Sequence, residues 1–383
     1  MSKPTVRFGI IGLGMMGKQF SSAAARWCDL LDDLPTPKIT AICNHSNAKD
    51  RHWFTSNFDS IGLVTDDYKQ LLDSDIVDAV YCAVPHDLHQ ELYIDILRAG
   101  KHLLGEKPFG IDAAANRAIV NEAALHSDLV VRCSSEFPYY PGAVRMVRWI
   151  MNRSYGRLIE VRAGFHHSSD MDLAKPINWK RTIERNGEYG SMGDLGFHTH
   201  HIPLRFGWRP KSVFADLQNI ATMRPDETGR MVPCETWDNA TILCGCEDAE
   251  SGEPFSMSLE TKRMAPGATN TWYIEVFGTL GSAKYSTHDP RSFYHLETSG
   301  REQGWTRVDI GADFWTPAIV AGIMETGFSD GFQQMIGAFM DEFREGGAQH
   351  SFPCANPEET RLSHQILTAA LESHRSGRKI LLE

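Results

Sequence analysis

The first third of the chain alternates short, wholly apolar runs with stretches whose apolar residues recur at helical spacing. "VRFGIIG" reads as a buried strand, followed by a helix from about Met15 through "KQFSSAAARW". Next come strand "ITAIC", a polar helix from Asn47, strand "VDAVYCAV", helix "LHQELYIDILRAG" with its glycine stop, strand "HLLGE", helix "AAANRAIVNEAALH" and strand "LVVRC". Runs without polar alternation are the mark of strands buried on both faces, so this rhythm predicts a parallel sheet with helices on both sides.

After about Cys133 the period changes. Helix "GAVRMVRWIMN" leads to "GRLIEVRAGFHH", and from Val213 to Tyr285 apolar positions mostly alternate, in "SVFADLQNIATM", "NATILCGC", "FSMSLETKRM" and "WYIEVFGTLGSAKYS". Pro-, Gly- and Asp-rich turns separate these runs, which predicts a large, mainly antiparallel open sheet. Helices "GFQQMIGAFMDEFREGG" and "PEETRLSHQILTAALESHRSG" close the chain. The expected fold class is α/β: a doubly wound parallel sheet in residues 1–133, then an α/β domain in residues 134–383 whose C-terminal helix packs back on the first domain. A length of 383 residues agrees with two domains. With no repeats and no low-complexity linker, the two should share an interface, and a cleft there is the natural place for a ligand.

Composition narrows the partners. The net charge of −11 and pI near 5.8 oppose the counterion release that rewards nucleic-acid binding, and no Lys/Arg run offsets them. Neither nucleic acid nor an anionic membrane is expected. The apolar run near the N-terminus is too short and wrongly flanked for a signal peptide or a membrane span, which favours the cytoplasm. The eight cysteines lack any C-x-x-C and read as buried reduced thiols. Cys244 and Cys246 should share one face of a strand as core residues.

Three motifs carry chemistry. In "FGIIGLGMMGKQF", Gly12, Gly14 and Gly17 fit G-x-G-x-x-G between a strand and a helix. The first glycine permits the tight turn, the second admits a pyrophosphate against the backbone, and the third lets helix and strand pack closely; Met15 and Met16 begin a helix whose N–H groups and dipole face the phosphates. This is the fingerprint of a Rossmann dinucleotide-binding domain. The second strand ends in Asn44 and His45 where an acidic residue would bind the ribose 2′-hydroxyl, with Lys49 and Arg51 nearby, so selection between NAD and NADP stays open.

The second motif, "HLLGEKPFG", puts Lys107 at the carboxyl edge of the parallel sheet, facing the cofactor crevice; the plainer alternative is an exposed loop lysine. In the third, "GSMGDLGFHTHH", Asp194 and His198 stand at i and i+4, one turn apart on one helix face. A metal site would need three converging ligands, which His198, His200 and His201 do not supply, and no metal is expected. The plainer alternative is a helix capped by Asp194 with packed histidines.

Together the motifs resemble the glucose–fructose oxidoreductase/inositol dehydrogenase (Gfo/Idh/MocA) family of NAD(P)-dependent sugar oxidoreductases. The resemblance runs through "GIIGLGMMG", "AVPHDLHQELYIDILRAGKHLLGEKP", "GSMGDLGFH", "FGTLGS" and the helical pattern around "IGAFMDEF". It implies an enzyme that moves hydride between a sugar, glycoside or polyol C–OH and NAD(P), with Lys107 polarising the reacting oxygen, His198 as general base and Asp194 assisting or holding substrate. It implies that Glu106 with Lys107, and Pro85, His86 and His89, also touch the cofactor. The family's usual Asn after that proline is His86 here, and an Asp three residues past the histidine is His201, so substrate recognition should differ. The segment "RWCDLLDDLPTP" is longer than the common spacing. Trp179, Lys180 and Arg181, on the loop before the catalytic helix, can stack on a sugar ring and bind its hydroxyls; the plainer alternative is an interface tryptophan with a solvated Lys/Arg pair. His166 and His167 point to opposite faces of a strand, so at most one reaches the cleft. A homodimer or homotetramer is implied by resemblance alone. The alternatives are glycosidase chemistry by transient oxidation on a tightly bound NAD, and a non-catalytic dinucleotide or sugar sensor.

Overall fold

A computed structural model of the chain describes residues 3–44, 48–298, 300–320 and 322–382. Strands β1 (Thr5–Ile11), β2 (Thr36–Cys43), β3 (Leu63–Thr65), β4 (Ala79–Cys82), β5 (His102–Gly105) and β6 (Val131–Cys133) form one sheet in the order β3-β2-β1-β4-β5-β6. All its pairings are parallel. Helices α1 (Met15–Ala25), α2 (Ala48–Asn57), α3 (Tyr68–Leu72), α4 (His89–Arg98) and α5 (Ala113–Leu125) make the crossovers. Phe8, Ile10 and all of Ala79–Cys82 are enclosed, as strands covered on both faces must be. The strand order reverses between β1 and β4, so the loops leaving these two strands diverge and open a crevice at their carboxyl ends. Strand β3 and helix α3 are absent from the sequence reading because three and five residues are too short to display a period. The polar helix expected from Asn47 is α2; Asn47 itself lies outside the described residues.

The rest of the chain comprises α6 (Pro141–Met151), β7 (Leu158–His167), α7 (Ile183–Asn186), α8 (Ser191–Arg205), β8 (Trp208–Gln218), β9 (Met223–Pro225), β10 (Met231–Pro233), β11 (Asn239–Asp248), β12 (Pro254–Lys262), β13 (Asn270–Gly278), β14 (Gly281–Ser286), β15 (Ser292–Glu297), β16 (Thr306–Asp309), α9 (Phe328–Asp341), α10 (Pro357–Ser376) and β17 (Ile380–Leu381). A nine-stranded sheet runs β16-β15-β14-β13-β7-β12-β11-β8-β17; only its central β7–β12 pair is parallel. The alternation read in the sequence is the alternation of burial: along β13, Trp272, Ile274 and Val276 point inward while their neighbours do not. Helices α6, α8 and α10 cover the inner face, and Ile159, Phe214 and Leu243 are exposed.

Two features connect this half to the first sheet. Helix α9 lies on α1, where the Gln333 amide donates to the carbonyls of Ala23 (3.3 Å) and Arg26 (2.6 Å). Helix α10 lies on α5, where Asn116 Nδ2 donates to Thr360 Oγ1 at 2.9 Å. One hydrophobic core therefore runs from Phe8 and Phe20 through Phe339 to Trp208 and Leu259. The cysteines are free thiols, and Cys244 and Cys246 are core residues as expected. Cys28 is the correction: it is exposed, because it sits in the single turn Trp27–Asp29 where only the tryptophan faces inward.

Candidate active site

The glycine loop leaves β1 at the switch point. Gly12 has φ +94°, and a Cβ there would lie 2.1 Å from the Ala83 carbonyl oxygen, so the turn admits no other residue. A Cβ on Gly17 would lie 2.3 Å from the Gly12 carbonyl oxygen, the close helix–strand approach that the third glycine permits. A Cβ on Gly14 would meet nothing within 4 Å. Gly14 therefore borders open space directly before α1, whose first-turn N–H groups have no partner within the helix. That open cradle fits a pyrophosphate. Met15 is exposed at its rim, and Met16 packs inward. Asn44 follows β2 with its N–H on the Thr65 carbonyl at 3.2 Å. His45 lies outside the described residues.

Lys107 leaves β5 at the same edge. Tyr81 and Tyr93 hold the preceding Glu106 by its carboxylate (2.6 Å) and its carbonyl (2.8 Å). The Lys107 ammonium reaches α8, donating to Asp194 Oδ1 at 2.9 Å and to the Asp194 carbonyl at 2.6 Å. Two further cations converge on that carboxylate: Lys180 Nζ at 2.9 Å from Oδ2 and Arg263 at 3.1 Å from Oδ2. Burial opposes ionisation of Asp194, but Lys107, Lys180 and Arg263 together hold it well below the ordinary carboxylate range. Burial likewise works against the Lys107 ammonium, and Asp194 with Glu106 outweighs it, raising its pKa. Lys180 is pulled down by burial and by Lys107 and Arg263 despite Asp194. Asp194 is thus a permanent anion that organises cations. It does not cap α8, whose N-cap is Gly190 and carries no side-chain cap.

His198, one turn further along α8, is buried between the rings of Phe137 and Phe165, both edge-on at 5.1 and 5.3 Å. Burial, then Lys107, push its pKa well below the usual imidazole value, so the ring is neutral at physiological pH. Its Nδ1 faces Ser135 Oγ at 3.4 Å and Glu136 Oε2 at 3.8 Å. Glu136 was not singled out in the sequence; the signal was an acidic residue three positions after a strand of the parallel sheet, at the edge where ligands bind. Arg263 was missed too, inside what read as an ordinary strand end. The adjacent pair separates as expected: His167 feels Asp194, Lys180 and Lys107, whereas His166 faces Glu260.

Several expected site residues turn elsewhere. Arg181 is fully buried between Asp238 and Asp170, the latter at 2.6 Å, so it braces the loop before α8 and has no exposed surface for a sugar. Lys180 takes the position at Asp194, with its ammonium 5.7 Å over the half-buried Trp179 ring. His201, two turns along α8 from Asp194, packs on Phe197 and Phe352 and meets Arg205 at 3.4 Å. His89 spends both ring nitrogens on backbone, receiving the Gly110 N–H (3.3 Å) and facing the Val84 carbonyl (3.1 Å), which leaves none for a nucleotide. His86, after Pro85, reaches the Asn186 carbonyl at 3.1 Å and stands edge-on to Trp179, tying the β4 loop to α7. A cavity of about 720 Å³ between the start of α5, Tyr189 and the end of α10 is lined by none of Lys107, Asp194 and His198. Among the described residues, no group of three or more His, Cys, Asp or Glu could hold a metal ion. No helix among them is long and apolar enough to cross a membrane.

Comparison with known proteins agrees with this fold. Levoglucosan dehydrogenase from Pseudarthrobacter phenanthrenivorans is 24% identical over 90% of this chain and 96% of its own. The D-xylose 1-dehydrogenase (NADP(+)) of Hypocrea jecorina is 25% identical over 78% of this chain and 77% of its own. The solved levoglucosan dehydrogenase in complex with NADH and L-sorbose superposes with a TM-score of 0.88 over 99% of both chains at 20% identity, a likeness of fold. The profile of an oxidoreductase family with an NAD-binding Rossmann fold matches residues 6–132, and that of the GFO/IDH/MocA C-terminal domain matches residues 144–284. The chain belongs to the Gfo/Idh/MocA family of NAD-binding oxidoreductases.

Proposed function

We propose that the protein transfers hydride between a nicotinamide dinucleotide and a C–OH group of a sugar, glycoside or polyol, with residues 1–133 holding the nucleotide and residues 134–383 the substrate. The observation that carries this reading is the Lys107–Asp194 pair, which joins the edge of the nucleotide sheet to α8 one turn from a neutral, buried histidine. The glycine cradle at Gly12, Gly14 and Gly17 would hold the diphosphate, and the nicotinamide supplies the two-electron acceptor when bound. Lys107, kept charged by Asp194, stabilises the oxygen as it gains alkoxide character. His198, neutral at physiological pH, receives the hydroxyl proton. Asp194 exchanges no proton; it orients Lys107 and Lys180 toward one substrate face. Trp179, beneath the Lys180 ammonium, offers an apolar ring on which a sugar can stack.

The test is a panel of monosaccharides, anhydrosugars, glycosides and inositols with NAD and NADP separately, beginning with levoglucosan, L-sorbose and D-xylose, the sugars named with the relatives. Reduced-nucleotide absorbance should rise with at least one, and Lys107→Ala should lower kcat/KM by roughly 100- to 1,000-fold while still binding nucleotide. If no compound reduces either nucleotide and none binds, the proposal fails. Cleavage of a glycoside without net nucleotide reduction would replace it with the transient-oxidation alternative.

A further inference from the structure

The ring of His198 sits in a field that opposes its protonation. Lys107, His167 and Lys180 all disfavour the imidazolium, as does burial. Asp194, the carboxylate on its own helix, favours it but has both oxygens committed to Lys107, Lys180 and Arg263. A base in such a place needs another anion, and one is present on the opposite wall. The loop leaving β6 brings Ser135 (1% exposed) and Glu136 (5% exposed) against the ring. Both approach Nδ1, Ser135 Oγ at 3.4 Å and Glu136 Oε2 at 3.8 Å, while Nε2 has no hydrogen-bond partner among the described residues.

We propose that Glu136 is the positioning residue for this base: with Ser135 it holds His198 as the Nδ1–H tautomer, leaves the Nε2 lone pair for the substrate hydroxyl, and balances the charge that the ring acquires. The inference rests on the hydride-transfer reading above. In the oxidation direction the O–H bond breaks and Nε2–H forms; the carbon's hydride leaves with its electron pair to the nicotinamide, and the C–O bond becomes C=O. The imidazolium so formed lies between Glu136 and Lys107, and only the former favours it. A carboxylate beside one imidazole nitrogen fixes the tautomer in this way wherever histidine serves as an oriented base.

The groups facing Glu136 set its pH behaviour. Glu106 lies beside it, Tyr81 and Tyr140 feel its charge, and Lys107 partly offsets its burial. Burial, then Glu106, push its carboxyl up to about 7. Below that pH Glu136 is protonated and cannot balance the ring, so kcat/KM for oxidation should fall on the acid side of pH about 7.

Glu136→Gln keeps the shape and removes the charge. It should melt within about 2 °C of the parent and bind nucleotide equally. Its kcat should fall about 10- to 100-fold with KM little changed, and the acid limb should disappear. Glu136→Asp should recover part of the rate and restore the limb. Parental kcat with an unshifted pH profile in Glu136→Gln would overturn the proposal, as would a rate loss that merely follows a lowered Tm. A second readout needs no substrate: imidazole 15N shifts, with the His198 signals identified by their loss in His198→Gln, should report Nδ1–H in the parent and lose that bias in Glu136→Gln. A parent dominated by Nε2–H would refute the inference even if turnover were found. If no sugar is turned over, the functional reading fails while the 15N measurement still decides this one.

Discussion

Replacing Asp194 by Asn tests the centre of the site, because it removes one negative charge from among three positive ones and changes almost no volume. Lys107 stands 2.9 Å and Arg263 3.1 Å from the carboxylate. At an effective dielectric constant of about 20, each such pair is worth roughly 5–6 kcal/mol of gross attraction. Most of that is offset by the desolvation already suffered by both partners, and the Lys180 contribution is discounted further because its side chain is 39% exposed. What remains after removing one partner is an uncompensated buried charge, expected to cost about 3–5 kcal/mol. For a chain of this size that corresponds to a Tm lowered by roughly 4–6 °C, measurable by calorimetry or circular dichroism. The sign against pH follows from the depressed carboxyl: its stabilisation is present above the unfolded-state value and is lost only as pH falls through the lower folded-state value. The gap between parent and variant should therefore hold from neutral to mildly acidic pH and close only below about pH 4. Activity should fall at least about 100-fold, since Lys107 loses both its orientation and the partner that keeps it charged. Unchanged Tm and rate in Asp194→Asn would refute the view of Asp194 as the shared counterion.

Other consequences are equally direct. Gly12→Ala should fail to fold normally, since its Cβ would sit 2.1 Å from a carbonyl oxygen, whereas Gly14→Ala meets no protein atom within 4 Å. The latter should keep its Tm and bind nucleotide about tenfold or more weakly in a fluorescence titration; undiminished affinity would mean the diphosphate lies elsewhere. Arg181→Met should cost about 3–5 kcal/mol by leaving the buried Asp238 without its cation and Asp170 with Lys175 alone, yet leave KM for sugar unchanged in the protein that remains folded; a raised KM at parental Tm would restore Arg181 to the substrate site. Asn44→Asp should weaken NADP at least about tenfold relative to NAD in KM measurements, because a carboxylate at the end of β2 repels a 2′-phosphate; an unchanged ratio would place nucleotide selection in other residues.

Local information in the chain was enough for the architecture. Apolar runs without alternation announce strands covered on both sides, period-two runs announce a half-covered sheet, and both follow from where side chains point along a strand. The roles of Gly12 and Gly17 were legible because they are backbone constraints, expressed within one turn. Elements of three to five residues escaped, as β3 and α3 did, because a period cannot be displayed in so few positions.

The site divides along the same line. Asp194 and His198 share a helix, so their common face could be read from their spacing, and Lys107 could be placed at a strand end. Which cations the carboxylate gathers could not be read, since Lys107, Lys180 and Arg263 come from the end of β5, a turn and the end of β12 and meet only through the packing of α8. The same packing decided between neighbours of identical charge: Lys180 faces the site while Arg181 turns inward to Asp170 and Asp238. It also set Glu136 against His198 across 62 residues of sequence. Direction along one element is a property of local geometry and survives in a sequence; contact between elements depends on which surfaces bury each other, and only the folded chain settles that.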